Sequence, residues 1–377
     1  REERLEKVTK LEKARERKKQ KKTYRINTHS WLMQGNNLNK DWTLIDGLQY
    51  SNWSHEIFSQ MHEGGLNAVH VTVAYHENTR ETLSRLGQWN QRFETFSDLI
   101  RPVFQPQDIA LAKNEGRVGI ILGAQNCSPI EDEIQLVGVL RRLGLMIMQL
   151  TYNNQSLLGT GCYESEDNGI TRFGKQVIHE MNRVGMVIDM SHSAERSTLE
   201  AIEYSEQPVI ISHANPSEFH PALRNKSNKV IDAIAENEGL LGFSLYPFHL
   251  KNGPACSLND FCDMVAWTAE RMGVERIGIG SDLCQNQPKS VLEWMRNGRW
   301  SKQMDYGEGS ASDSGWPEPL AWFKDNRDFP KVAEALAQKG FNETELGLIL
   351  GGNWVNLLTR VATASFETTT LDAPDKC

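Results

Sequence analysis

The sequence predicts an α/β fold: a single (β/α)8 TIM barrel with a helical C-terminal segment and a long loop after strand eight. Three observations carry this. Short, near-continuous apolar runs alternate with helix-length amphipathic segments, the pattern of a parallel sheet covered on both faces. There are eight such runs, which favours a closed barrel over an open doubly wound sheet. No GxGxxG follows the first run, which argues against a dinucleotide-binding fold.

Taken in order, residues 1–22 hold 11 Lys/Arg and 5 Asp/Glu, so a chain of net charge −8 carries −14 in its remainder. Acids interleave with the bases, and Leu5, Val8 and Leu11 form only a thin apolar stripe. Residues 1–23 therefore read as a solvated tail, frayed or disordered, and not as a nucleic-acid arm. The barrel is expected over residues 24–365, with a flexible tail at 366–377. An irregular, Asn-rich stretch from Tyr24 to Asp41 contains His29, which reads as an ordinary loop residue.

The strand runs are Thr43 to Leu48, Asn67 to Ala74, Val118 to Gln125, Met146 to Tyr152, Met186 to His192, Pro208 to His213, Leu240 to Tyr246 and Arg276 to Asp282. Between the fourth and fifth, Phe173, Val177, Ile178, Met181 and Val184 share one helical face. Gly185 stops that helix, and Gly144, Gly239 and Gly273 repeat the device before other strands, since glycine takes the left-handed conformation without steric cost. Leu283 to Phe329, after the last strand, carries Trp294, Trp300, Trp316 and Trp322. A segment this long is usually functional. It is expected to hang over the barrel mouth as a lid or dimer contact, with aromatic faces that also suit a quaternary ammonium ligand.

Composition narrows the class. Hydrophobic residues make up 39%, enough to fill a core. No apolar run approaches the roughly 20 residues of a membrane span, and the charged start is not a secretory signal. Six scattered cysteines without a CxxC pair suggest reduced thiols and a cytoplasmic location. Cys127 and Cys284 read as buried structural thiols.

Function in a barrel sits at the C-terminal strand ends. Those ends are Leu48, Tyr75, Gln125, Tyr152, His192, His213, Tyr246 and Asp282. Two histidines and an aspartate converging on one rim are the ligand set for zinc or a similar borderline cation.

Several stretches resemble the membrane (renal) dipeptidase family, a zinc branch of the amidohydrolase superfamily. They are Asp167-Asn168-Gly169 with Phe173-Gly174, Met181-Asn182-Arg183 through His192, Ser212-His213, Arg224-Asn225, Gly278 to Asp282, and Gly351-Gly352-Asn353-Trp354. They run in the family's order over about residues 40–362. The resemblance implies two zinc ions, a bridging hydroxide that attacks a dipeptide carbonyl, and a homodimer. It assigns His192 and His213 to the second metal, and Asp282 to the first metal and to proton handling. Arg224, with its neighbour Asn225, is assigned to the substrate carboxylate, and Tyr246 to a further substrate contact.

The departures are as informative. The family's first strand ends in DGHxD, whose His and Asp bind the first zinc, where this chain has Asp46-Gly47-Leu48-Gln49-Tyr50. Gln125 replaces the bridging glutamate, and Tyr152 replaces the histidine that steadies the transition-state oxygen. The expectation is one divalent metal, zinc, on His192, His213, Gln125 and Asp282, with Asp282 and Tyr152 catalytic. The substrate is then dipeptide-like or otherwise carboxylate-bearing. The alternative is a re-purposed barrel that binds or transforms a small nitrogenous metabolite with a carboxylate.

Overall fold

The computed structural model describes residues 32–34, 37–303, 305–312 and 314–371. The basic tail and His29 lie outside the described residues. Eight parallel strands form a nearly closed barrel: β1 Ile45–Gln49, β2 Ala68–Ala74, β3 Val118–Ala124, β4 Leu145–Gln149, β5 Val187–Asp189, β6 Val209–Ile211, β7 Leu240–Phe243 and β8 Ile277–Ile279. Each pairs with the next in chain order, and a helix follows most of them. Every residue of these strands is buried, which is why the runs read as apolar without alternation.

The seam between first and last strands is joined at the functional rim. Gln49 bridges Leu283 in parallel, the Tyr50 N–H donates to the Leu283 carbonyl (3.1 Å), and the Asp282 N–H donates to the Leu48 carbonyl (3.0 Å). A further three-residue strand, Ile100–Pro102, pairs with the start of β3. It is too short, and too close to its proline, to have stood out as a run.

Helix boundaries follow local chemistry. The helix Arg172–Val184 starts where Thr171 Oγ1 accepts the Gly174 N–H (2.9 Å), and it ends at Gly185 with φ 67° and ψ 41°. Gly239 departs from the expected pattern. The left-handed residue there is Glu238 (φ 59°), and Gly239 is needed because a Cβ would stand 2.0 Å from the Val209 carbonyl oxygen.

The Gly351-Gly352-Asn353-Trp354 motif builds the barrel floor. Trp354 enters between β1, β7 and β8, where Gly47, Gly242 and Gly278 leave room for its ring. Its indole N–H donates to the Ile279 carbonyl (3.1 Å), and Asn353 Nδ2 donates to the Val274 and Ile277 carbonyls (2.8 Å each). The final helix, Asn353–Leu371, passes the boundary expected at residue 365. No helix among the described residues is long and apolar enough to cross a membrane. At the other end, the helix Lys289–Asn297, with Tyr306, Gly307, Glu308 and Trp316 beyond it, walls the mouth.

Candidate active site

The C-terminal strand ends open into a cleft walled by polar and aromatic side chains. Of the residues expected there, Gln125, Tyr152, His192, Arg224, Tyr246 and Asp282 line it. Each except Arg224 stands one to three residues beyond the end of its strand. His213 is fully buried against His192, and Asn225 does not line the cleft.

The histidine pair is held with its tautomers defined. His192 Nδ1 lies 2.7 Å from Asn153 Oδ1, an acceptor, so Nδ1 carries the proton. His213 Nδ1 lies 2.7 Å from Ser212 Oγ. The Ser212 hydroxyl donates to Asp189 Oδ2 and the Ser191 hydroxyl to Asp189 Oδ1 (2.6 Å), so Ser212 Oγ accepts from His213. Both Nε2 atoms are therefore lone pairs. They face each other at 3.1 Å, and Gln125 Oε1 faces His192 Nε2 at 2.8 Å. The Gln125 amide is oriented by its own donation to Thr72 Oγ1 (2.8 Å). Burial and the nearby Arg224 charge hold both imidazoles well below their ordinary pKa, so neither takes a proton to relieve the clash.

Three acceptors thus converge with no donor among them, an arrangement that a cation completes. Two imidazoles and an amide oxygen fit one borderline divalent ion. They do not fit two, because Leu48 and Tyr50 offer the first site nothing to coordinate with. Asp282 does not extend the set: among the described residues no three His, Cys, Asp or Glu side chains stand together as a metal-binding group.

Arg224 is buried and aimed by the rim itself. One Nη donates to the Ser191 carbonyl and the other to the His213 carbonyl (3.1 Å), tying the guanidinium to the ends of β5 and β6. A guanidinium has five N–H donors, so the remaining ones can serve a carboxylate in the cleft. Asn225 is committed to the framework. Its Oδ1 accepts the Asn215 N–H (3.0 Å), and its Nδ2 donates to the His220 and His249 carbonyls (2.8 and 2.9 Å). This replaces the substrate contact expected of Asn225 with a positioning role for the Arg224 loop.

Across the cleft, Asp282 sits in the left-handed region (φ 59°), a conformation that aspartate tolerates better than most residues. Burial pushes its carboxyl up to about 7, against the lowering effect of Arg224. Tyr152 stacks on His192 (centroids 4.1 Å apart), and burial with the nearby Asp282 raises its phenol well above the ordinary value. It is therefore a donor throughout the neutral range. Tyr50 packs among Tyr75, Tyr152 and Met295.

Sequence reasoning missed several contributors. Asn153 orients His192, and Gln149 Oε1 accepts the His192 N–H (3.1 Å). Buried Lys226 donates to the Met190 and Ser193 carbonyls (3.0 and 2.8 Å), bracing the turn that carries His192. Burial and Arg224 lower its amine to about 7. Glu308, from the segment after β8, accepts the Leu223 N–H (2.7 Å) and so fastens that segment to the Arg224 loop. The polar position next to Arg224-Asn225 was the only cue to Lys226. Asn153 and Glu308 are loop residues without periodicity, and Gln149 is the last residue of β4, where its polar side chain gave no sign of its partner.

Comparison with known proteins gives one family. A family model described as membrane dipeptidase, peptidase family M19, matches residues 19–295. Dipeptidase tcpJ of Claviceps purpurea (strain 20.1) is 22% identical, with 77% of this chain and 62% of the relative covered. Dipeptidase aclJ of Aspergillus oryzae is 25% identical, with 60% and 58% covered. The chain spans about three-fifths of the length of these curated relatives. An amidohydrolase from Pseudomonas aeruginosa superposes with a TM-score of 0.82 at 34% identity, covering 86% of this chain and 98% of that one. A metallopeptidase from Rhodobacter sphaeroides, liganded with a phosphinate mimic of L-Ala-D-Ala, shares the fold with a TM-score of 0.71 at 15% identity, covering 85% and 99%.

Proposed function

The chain belongs to the membrane dipeptidase family, peptidase family M19, and from that premise we propose that it hydrolyses the amide bond of a small dipeptide-like substrate whose carboxylate Arg224 receives. The observation that carries the reading is that the cleft presents the His192 imidazole and the Arg224 guanidinium together. One divalent ion, zinc by the chemistry of the donors, would be held by His192, His213 and Gln125. When bound, such an ion supplies an activated water and polarises a carbonyl.

The chain's own groups do the rest. Arg224 fixes the substrate end to end by its carboxylate. The Tyr152 hydroxyl donates to the oxygen on which negative charge develops. Asp282, raised to about 7, exchanges a proton near neutrality and passes it to the leaving amine. Tyr246 packs against the substrate from the segment that follows β7. A homodimer and a cytoplasmic location complete the proposal, the latter supported by free thiols at Cys127, Cys162, Cys256, Cys262 and Cys284.

A panel of dipeptides, including ones ending in a D-residue, tests this with zinc-loaded protein. Hydrolysis that disappears in His192→Ala is the expected result. Hydrolysis undiminished in that variant contradicts the assignment. The second reading, a re-purposed barrel for a carboxylate-bearing nitrogenous metabolite, is favoured by Leu48 and Tyr50 occupying the first-metal corner. It replaces the first reading if the zinc-loaded protein leaves the whole panel intact.

A further inference from the structure

The corner of the cleft that has lost metal ligands has gained aromatic rings. Tyr50 lies in edge contact with Tyr75 (6.3 Å, 87°) and tilted against Trp316 (6.1 Å), and Tyr75 meets Tyr152 edge-on (5.6 Å). Tyr50, Tyr152, Tyr246 and Trp316 all line the cleft. Asp282 stands among them, near enough to raise the phenol pKa of Tyr50, Tyr152 and Tyr246. Its carboxylate accepts no hydrogen bond from a described residue, although Asp282 is 8% exposed. A carboxyl this deeply buried and without a donor is held near its neutral form by burial, and a positive partner in the cleft would stabilise its ionised form.

The partner's chemistry follows from the walls. A primary ammonium brings three N–H donors that all need acceptors. Ring faces offer none, and the acceptors of this corner are confined to the carboxylate and the phenol oxygens at the ring edges, whereas most of its wall is aromatic face. An alkylated ammonium spreads its charge over methyl groups, has little or nothing to donate, and is attracted to the negative faces of aromatic rings. Arg296, the second arginine of the cleft, donates to the Ser314 carbonyl (2.7 Å) and the Tyr246 phenol, and so is already engaged on the outer wall. The cleft is thus polarised, positive at Arg224 and negative at Asp282.

Building on the reading of Arg224 as a carboxylate receptor, we propose that the corner formed by Tyr50, Tyr152, Tyr246 and Trp316 around Asp282 binds a methylated or quaternary ammonium group. The substrate is then a zwitterion whose cationic end occupies the place of the family's first metal. The two departures at Leu48 and Tyr50 become one change of use, from an inorganic to an organic cation.

Three carboxylates that contain no amide bond test this by calorimetry on the full chain: 4-(trimethylammonio)butanoate, its uncharged isostere 5,5-dimethylhexanoate, and 4-aminobutanoate. The trimethylammonium compound is expected to bind about tenfold more tightly than either of the others, the range of a desolvated cation–aromatic contact. Trp316→Leu and Tyr50→Leu should each erase most of that preference, while Trp316→Phe retains it. Equal binding of the cation and its isostere, or a preference that survives both leucine variants, overturns the proposal. Arg224→Ala tests the premise separately, because it should weaken all three ligands alike. Undiminished binding of all three would remove the carboxylate reading while leaving the cation preference to be judged on its own ratio.

Discussion

At the scale of single residues, the site is defined by where protons are absent. His192 and His213 turn their Nε2 lone pairs toward each other, and His192 also toward the Gln125 amide oxygen, because Asn153 and the Ser212–Asp189 network claim their Nδ1 protons. Gln125→Glu restores a charge to that set, and zinc titration should show affinity raised by about tenfold or more, since a carboxylate offsets cationic charge and an amide does not. Unchanged affinity would mean that residue 125 is not a ligand. Arg224→Ala should weaken carboxylate ligands by about 1.5–3 kcal/mol, the range for a charge-assisted contact, as read by calorimetry. The histidines, the arginine and the aspartate were legible because each stands next to a strand run or in an ordered motif. Asn153, Gln149 and Lys226 were not, because a residue that orients another leaves no periodic trace.

At the scale of elements, all eight strands were readable, because buried parallel strands are continuous apolar runs. What the runs did not reveal is how the barrel is closed at each end. The rim is joined by backbone bonds of Leu48, Tyr50, Asp282 and Leu283, and the floor is plugged by Trp354 against glycines of β1, β7 and β8. Trp354→Ala removes a fully buried indole and should cost about 3–5 kcal/mol in urea unfolding. A loss below about 1 kcal/mol would show that the floor does not depend on the plug. The glycine pattern teaches a related lesson. Gly185 ends its helix for the conformational reason read from the sequence, whereas Gly239 is required by the approach of Val209, a contact between strands that no local pattern encodes.

At the scale of the whole molecule, one half of the rim carries the paired histidines and Arg224 and the other half is walled by aromatic residues. Its burial also sets the pH response. His70, His76, His192, His213 and His249 all have their pKa lowered by burial, so in metal-free protein the unfolded chain gains protons first as pH falls through about 6.5. Asp46 and Asp282, raised to about 6 and about 7, act oppositely, binding protons in the folded state before the unfolded one. Five groups outweigh two, so stability should fall between pH 6.5 and pH 5, at about 1.4 kcal/mol per pH unit for each net proton. A urea midpoint that rises over this interval would contradict the neutral-imidazole assignment. If half of a two-metal centre survives as a single site, purified, zinc-equilibrated protein should hold one tightly bound zinc per chain, lost in His192→Ala. Two per chain, or one that remains bound in that variant, would contradict it.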